Sequence, residues 1–199
     1  MKATNLVGHD PSLAKKRVVP AQIAHFVIYT SQYAELTAWY KVVLGATATY
    51  EDDKLAFLSY DEEHHRVAIA SVPNLARQRE GTASIHHVAF TYHTLRDLLQ
   101  TWRRLADEGI VPYWSVNHGP TTSMYYADPD GNRIEFQVDN FPTAAEANAF
   151  CASPEFAENS VGVDFDPADL VRRLDAGESE SVLKKRPNIG PRGIESSRA

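Results

Sequence analysis

Two histidines and one glutamate, each inside a short apolar segment, are the residues of this chain that could do chemistry together. His25 lies within residues 23–28, His87 within residues 85–90, and Glu135 within an apolar strand further along the chain. Two imidazoles and a carboxylate that converge from separate strands form the facial triad, which binds ferrous iron and leaves about half of its octahedral positions open. The three residues therefore predict an oxygen-using enzyme.

The two histidine segments belong to a repeat that continues into the helices that follow them. A shift of 62 positions places His25 on His87 and Leu36 on Leu98, and the apolar residues after both histidines have helical spacing. A shift of 61 positions would bring a charged residue opposite Leu36. A true duplication must superpose the apolar faces. The repeat therefore selects His87 rather than His86, because neighbours on a strand point to opposite faces.

The order of the predicted elements indicates an α+β fold made of two βαβββ modules. Residues 21–80 have the pattern of a strand, a helix and three short strands, and residues 85–140 repeat that order. Between the last two strands, Asp128-Pro129-Asp130-Gly131-Asn132 predicts a tight hairpin turn, since proline presets its own φ and glycine accepts a positive φ. Residues 21–140 thus form the predicted central domain.

Two further regions flank the modules. Residues 1–20 predict a polar N-terminal arm, and residues 141–199 predict a C-terminal helix with an extended tail. Asp166 as N-cap and Pro167 at the first helical position mark the start of that helix. The charged chain beyond Glu178 predicts a tail that lies over a partner subunit or is disordered. We therefore expect a homo-oligomer, a dimer or a larger assembly.

Composition limits the classes of partner. The chain has 199 residues, a formal net charge of -6 and one cysteine, which predicts one domain or two small, closely packed modules. Residues 20–140 contain no cluster of basic residues, so we expect no nucleic-acid partner. The single cysteine, Cys151, excludes an intramolecular disulfide framework and fits a reducing compartment. Because no apolar run could span a bilayer or form a signal peptide, we expect a cytoplasmic protein without a membrane partner.

Residues 21–140 resemble the vicinal-oxygen-chelate superfamily, and within it the type I extradiol catechol dioxygenases in a short form with one pair of modules. The resemblance is carried by the repeated histidine strands, by His64-His65-Arg66-Val67-Ala68, and by residues 124–135, in which a tyrosine precedes the turn and the glutamate. It implies that the paired βαβββ modules form a curved mixed sheet around a central metal site.

The resemblance also implies a reaction and the residues that perform it. The implied ligands of Fe(II), or of Mn(II) in some relatives, are His25, His87 and Glu135. His65 would be the acid-base histidine beside the oxygen site, Tyr125 would hydrogen-bond a catechol oxygen, and His118 would help to position or deprotonate the substrate. The implied reaction is extradiol cleavage of a catechol-type aromatic diol by dioxygen.

Other functions stay open for a chain of this kind. Metal-dependent lyases and isomerases of the glyoxalase or epimerase type take a fourth ligand from the last strand of the first module, but residues 67–70 contain no carboxylate. A non-enzymatic resistance protein that binds small molecules usually lacks the metal residues. Among the single residues, His25 could be a hydrogen-bonded core histidine, Glu135 could lie on the wet face of an alternating strand, and His65 could sit in a charged hairpin tip.

Overall fold

The computed structural model describes residues 18–76 and 83–197. Most of the predicted N-terminal arm, and residues 77–82, lie outside the described residues. None of the helices in the described ranges is long and apolar enough to cross a membrane.

Both predicted modules have the expected order of elements, and the α+β class is confirmed. The elements of the first module are β1 (Phe26–Thr30), α1 (Tyr33–Leu44), β2 (Thr47–Glu51), β3 (Leu55–Ser59) and β4 (Val67–Ser71). Those of the second are β5 (Val88–Tyr92), α2 (Leu95–Asp107), β6 (Trp114–Asn117), β7 (Thr121–Ala127) and β8 (Arg133–Asp139).

The predicted register of the repeat is confirmed by the first strand and helix of each module. Phe26 and Val88 begin β1 and β5, and Tyr33 and Leu95 begin α1 and α2, so both pairs are 62 positions apart. The helix ends differ in detail. Gly45, at φ 61°, directly follows α1, whereas α2 ends at Asp107, two residues before Gly109.

The mixed sheet is present as two sheets, one in each module. The strand orders are β1-β4-β3-β2 and β5-β8-β7-β6-β9, where β9 is the short strand Val163–Asp164. In each sheet the first strand runs parallel to the last strand of its module, and the remaining neighbours are antiparallel. The strands β1 and β5 therefore each lie at the end of a sheet, beside the last strand of the same module.

Alternation along these two strands separates a helix-facing side from an open side. In β1, Phe26 and Ile28 pack against the core, whereas Val27 and Tyr29 are 53% and 66% exposed. His25 and His87 continue the alternation of the residues that face away from the helices. Both predicted histidine ligands thus begin the open face of their own sheet.

One hydrophobic core joins the two modules. Its buried members come from both helices and from both sheets; those in the helices include Leu36, Tyr40, Val43, Leu95, Leu98, Leu99 and Leu105. The rings of Phe26 and Phe90 lie 6.1 Å apart between the first strands. The Tyr40 hydroxyl donates to Asp128 Oδ2 at 3.2 Å. The second module therefore packs directly on the first helix.

The hairpin turn predicted from residues 128–132 is confirmed. The Asp128 side chain accepts from the backbone N–H of Asp130 and of Asn132, at 3.0 and 2.8 Å. Gly131 has a φ of 88°, which favours glycine. The turn connects β7 to β8 and so fixes Tyr125 opposite Glu135 in the ladder.

The region after residue 140 contains more structure than the single helix that we predicted. Its elements are α3 (Ala144–Cys151), α4 (Pro154–Glu158), β9, α5 (Pro167–Asp175), α6 (Glu180–Leu183) and a 3-10 turn at Ile194–Ser196. The predicted start of α5 is confirmed, because Asp166 caps it by accepting from the Ala168 N–H at 2.9 Å.

Beyond Glu178, the short helix α6 is followed by residues that are mostly outside helices and strands, and part of this segment packs on its own chain. Leu183 and Arg186 are only 5% and 8% exposed, and the Asn117 side chain donates to the Lys184 carbonyl at 2.9 Å. An apolar side chain and a cation with several carbonyl acceptors hold this segment on its own chain. The many charged residues of the segment gave no indication of these contacts.

Candidate active site

His87 and Glu135 form a pair at the open face of the second sheet. The strand β5 runs beside β8, with Ala89 opposite Glu135, and His87 Nε2 lies 2.9 Å from Glu135 Oε2. Glu135 is 5% exposed. Burial disfavours its charge, yet hydrogen bonds from His87 and Ser123 hold the pKa of the carboxyl below its ordinary value. The carboxylate is therefore ionised and directed at an imidazole.

Tyr125 and His118 extend this pair into a hydrogen-bonded chain. The Tyr125 hydroxyl lies 2.9 Å from His118 Nε2 and also hydrogen-bonds Glu135. His118 Nδ1 hydrogen-bonds the Val161 carbonyl. Because a carbonyl can only accept, Nδ1 carries the proton and Nε2 is an acceptor in the neutral ring. One hydroxyl proton of Tyr125 is thus shared between two acceptors, His118 Nε2 and the Glu135 carboxylate.

Burial shifts the pKa values of both Tyr125 and His118. Burial raises the pKa of the Tyr125 phenol far above its ordinary value, and the Glu135 carboxylate raises it further. Burial lowers the pKa of the His118 imidazole, against a smaller rise from the Val161 hydrogen bond. Near neutral pH, Tyr125 therefore keeps its proton and His118 is a neutral base. Trp114 stacks on the Tyr125 ring at 5.1 Å and fixes its plane.

His25 and His65 lie together in the first module. Their ring centroids are 4.2 Å apart, and the His65 ring stacks on Phe57 at 4.5 Å. His65 is buried, whereas His25 is exposed. Burial lowers the pKa of His65, and the nearby His25 and His64 lower it further. His65 is therefore a neutral base that stacks on the apolar ring of Phe57.

His64 and His86, the histidines that directly precede His65 and His87, contact the rings of these two residues. His64 Nδ1 lies 2.5 Å from His65 Nδ1, and His86 Nδ1 lies 2.8 Å from His87 Nδ1. Arg133 Nη1 is 2.5 Å from His86 Nε2. His86 thus contacts the ring nitrogen of His87 that points away from Glu135, which is where a residue that orients a metal ligand would act.

The predicted site residues fall into two groups. His87, Glu135, Tyr125 and His118 form one group in the second module, and His25 and His65 form the other in the first. Within residues 18–76 and 83–197, no three histidine, cysteine, aspartate or glutamate side chains are arranged to hold one metal ion. The triad of His25, His87 and Glu135 therefore stays a prediction.

The donor pair of the second module nevertheless suits a divalent metal ion. With metal–ligand bonds of about 2.1 Å, two adjacent donors of an octahedron lie about 3 Å apart. His87 Nε2 and Glu135 Oε2 are 2.9 Å apart. An imidazole and an ionised carboxylate are also the donor types of the facial triad. The pair could take an ion between its two donors without a large movement of either side chain.

Sequence reasoning missed the residues that support His118 from the C-terminal region. Val161 acts through its backbone carbonyl, so its side-chain identity carries no signal. Trp114 Nε1 donates to Asp164 Oδ1 at 2.9 Å, and β9 pairs with β6. The aromatic side chain of Trp114 in a strand before His118 could have suggested a packing role, but nothing in the sequence pattern indicated its partner.

Comparisons with known proteins identify the family. The family model described as the Glyoxalase/Bleomycin resistance protein/Dioxygenase superfamily matches residues 22–136. The chain belongs to this superfamily. Biphenyl-2,3-diol 1,2-dioxygenase 2 of Rhodococcus globerulus is 46% identical to this superfamily member over 157 residues, which cover 78% of the chain and 83% of that relative. Biphenyl-2,3-diol 1,2-dioxygenase 3 of the same organism is 43% identical over 170 residues, covering 84% and 90%.

Within the superfamily, this similarity over most of both chains makes the protein an extradiol dioxygenase. Membership of that group implies a metal cofactor. A solved glyoxalase/bleomycin resistance protein/dioxygenase from Nocardioides has a TM-score of 0.51 and 18% identity, and the match covers 65% of this extradiol dioxygenase and 90% of that chain. This likeness supports the fold alone.

Proposed function

We propose that the protein uses Fe(II) to cleave the ring of a biphenyl-2,3-diol-type catechol beside its two hydroxyl groups. Both atoms of dioxygen enter the product, which keeps all the atoms of the diol. The observation that carries the proposal is the His87–Glu135 pair, at 2.9 Å, with the Tyr125–His118 chain beside it. The names of the two Rhodococcus globerulus relatives support the substrate class.

The metal would be held by His87 and Glu135 of the second module together with His25 of the first. These are two imidazoles and one carboxylate, which would leave coordination positions for both diol oxygens and for dioxygen. When bound, Fe(II) lets electron density pass from an aromatic diol to dioxygen, which otherwise react slowly with each other.

Tyr125 and His118 would bind and orient one oxygen of the diol. The Tyr125 hydroxyl keeps its proton and can donate it in a hydrogen bond to a diol oxygen that has lost its own. His118 Nε2 accepts from Tyr125 at 2.9 Å. A proton released at the diol could therefore be relayed: Tyr125 would take it up and pass its own proton to Nε2, and the Val161 carbonyl would stabilise the resulting imidazolium through Nδ1.

His65 would act as the acid-base group on the other side of the site. Its lowered pKa leaves it neutral near pH 7, so that it can accept a proton from the substrate and return it in a later step. The stacked Phe57 ring fixes the imidazole plane. A proton held at a fixed position reaches the reacting oxygen without a search over rotamers.

Apolar side chains on the open face of the first sheet suit a second aromatic ring. Val27 of β1 and Phe57 of β3 are both paired with Ala68, so the three residues share the face that carries His25. The exposed Val27 and the small Ala68 leave room on this face. A biaryl diol would place its unreacted ring against these groups and exclude water from them.

The decisive experiment is anaerobic reconstitution with Fe(II), followed by addition of air and a panel of catechols that includes 2,3-dihydroxybiphenyl. We expect a yellow ring-fission product and the uptake of one dioxygen per diol. Parallel reconstitution with Mn(II) and with Zn(II) shows which metal ion supports the activity. Consumption of no catechol by protein that retains bound metal, or turnover only of a glyoxalase-type substrate, would contradict the proposal.

A further inference from the structure

The C-terminal segment contacts the His118 side of the site through the buried guanidinium of Arg186, which donates to the His118 carbonyl. We propose that Arg186 is a positioning residue, which keeps His118 in the tautomer and orientation that Tyr125 requires. The inference deepens the proposed dioxygenase function and rests on it. It depends on a closed set of contacts that links Arg186 to both ends of the His118–Val161 hydrogen bond.

Arg186 donates to three backbone carbonyls from different parts of the chain. Nη1 lies 3.1 Å from the His118 carbonyl and 2.7 Å from that of Asn159. Nη2 lies 3.2 Å from the Glu155 carbonyl and 3.4 Å from its carboxylate. The guanidinium carbon lies 5.0 Å from the centre of the Phe150 ring. The group is therefore fixed in position and plane.

The first link runs from Arg186 to the backbone of His118. His118 follows the last residue of β6, and its N–H donates to the Thr121 carbonyl at 2.9 Å, so it sits in the tight connection to β7. The carbonyl that Arg186 holds belongs to the same residue whose side chain contacts Tyr125. Displacement of that carbonyl would rotate the peptide and move the imidazole.

The second link runs from Arg186 to the acceptor of His118 Nδ1. The Asn159 side chain accepts from the Gly162 N–H at 2.6 Å and donates to the Gly162 carbonyl at 3.2 Å. These bonds close a short loop that contains Val161, the residue whose carbonyl accepts from His118. Arg186 thus holds the donor residue through one carbonyl and the acceptor loop through another.

The loop has no room to shift toward β6. Gly162 has a φ of 114°, and a Cβ atom there would lie 2.3 Å from the Asn117 carbonyl oxygen. The loop backbone therefore contacts the backbone of the residue just before His118. A small movement of the loop changes the Nδ1 contact directly, because no flexible side chain lies between them.

Packing alone does not account for Arg186. Its side chain is 4% exposed, its one carboxylate partner is half exposed, and Nε has no hydrogen-bond partner within the described residues. A buried cation with partial satisfaction costs stability, and an apolar residue of similar volume often replaces it without loss. The rigid, planar fork instead fixes the separation of the carbonyls that it joins.

The test compares R186M and R186K with a matched control, R172M, in which an exposed arginine of α5 that pairs with Asp169 loses its charge. Long-range ¹H–¹⁵N spectra of the histidine side chains report the His118 tautomer, and H118Q assigns the signal. We expect wild type and R172M to show a neutral His118 with its proton on Nδ1. R186M should show mixed tautomers, and R186K should restore part of the wild-type signal.

Kinetics supply the second measurement. We expect R186M to lower kcat by about 10–100-fold, the usual range for residues that orient a ligand, with the bound metal content and thermal unfolding transition retained. R186K should recover part of kcat. A wild-type tautomer and wild-type kcat in R186M would overturn the proposal. Failure of both variants to fold would also overturn it, because Arg186 would then serve the fold of the segment.

The two proposals fail in distinguishable ways. The tautomer measurement needs neither metal nor substrate, so it decides the role of Arg186 in the protein as purified. If wild type cleaves no catechol while the His118 signal depends on Arg186, the dioxygenase proposal falls and the structural link stands. If wild type cleaves catechols while the His118 signal does not change in R186M, the positioning role of Arg186 is contradicted and the dioxygenase proposal stands.

Discussion

His87 Nε2 and Glu135 Oε2 face each other at 2.9 Å from two adjacent parallel strands. We expect H87A to lose bound iron and to lower kcat/KM by at least about 1000-fold, because a facial triad has no spare protein ligand. Iron content by mass spectrometry and oxygen uptake check this. H86A is the matched control. It removes only a neighbour of His87, so we expect a loss of about 10–100-fold at most. Equal iron loss in both variants would contradict the assignment.

His65 and His64 provide a second adjacent pair for a test. We expect H65Q to lower kcat by about 100- to 10,000-fold with iron content unchanged, since general acid-base catalysis contributes in that range. H64Q should stay within about 10-fold of wild type, because His64 is exposed. Single-turnover kinetics with 2,3-dihydroxybiphenyl separate the chemical step from binding. A larger effect of H64Q than of H65Q would contradict the proposal, because it would give the acid-base role to His64.

Tyr125 and Tyr126 differ in what their hydroxyl groups contact. Y125F removes the group that His118 and Glu135 share, and we expect kcat/KM to fall by about 10–100-fold, as for the loss of one hydrogen bond of about 1.5–3 kcal/mol to a charged group. Trp114 still packs on the ring, so the fold should be kept. Steady-state kinetics and thermal unfolding measure both effects.

Y126F is the control for that variant. The Tyr126 hydroxyl is buried and has no hydrogen-bond partner within the described residues. Its removal should leave activity unchanged and should leave the free energy of unfolding equal to wild type or about 1 kcal/mol higher. If Y126F reduced activity as much as Y125F, the effect of Y125F would reflect packing of β7 rather than the hydroxyl.

His118 should make stability depend on pH. Burial lowers its pKa, so the unfolded chain binds a proton more readily than the folded protein does. Stability is therefore full above the ordinary histidine pKa of about 6.5 and is lost as the pH falls below it, by at most about 1.4 kcal/mol per pH unit for one group. Urea unfolding of metal-free protein between pH 8 and pH 5.5 measures this slope.

H118Q should flatten that dependence, and H93Q should leave it unchanged, because His93 is exposed. His65 also has a pKa lowered by burial, so part of the slope should survive in H118Q and disappear in the double variant H65Q/H118Q. A slope in H118Q equal to that of wild type would show that His118 does not contribute.

The sequence predicted the repeat and its register because amphipathic spacing is a local property. The period of the apolar residues located α1 and α2, and superposing them chose His87 over His86. The hairpin after Ala127 was equally predictable, since Asp128, Pro129 and Gly131 each have a conformational preference of their own. Glu135 was different: its own strand pattern favours a wet face, and only the resemblance to a family favoured the ligand role over that alternative.

The support for His118 could not be predicted because it depends on backbone atoms. The Val161 carbonyl and the carbonyls bound by Arg186 carry no residue-specific signal. Composition also misled the interpretation of the C-terminal segment, in which charged residues surround the buried Leu183 and Arg186. A burial pattern set by contacts between residues far apart in sequence has no periodicity to detect.

Because β1 and β5 each end a sheet, the ligands proposed for one ion come from separate halves of the chain. Coordination would cross-link those halves without using any backbone hydrogen bond of either ladder. A rigid-body shift of one module relative to the other would therefore change the distances between the ligands of the two modules. A substitution in the interface between the repeats, far from the donors themselves, could then alter ion affinity while leaving both ladders intact.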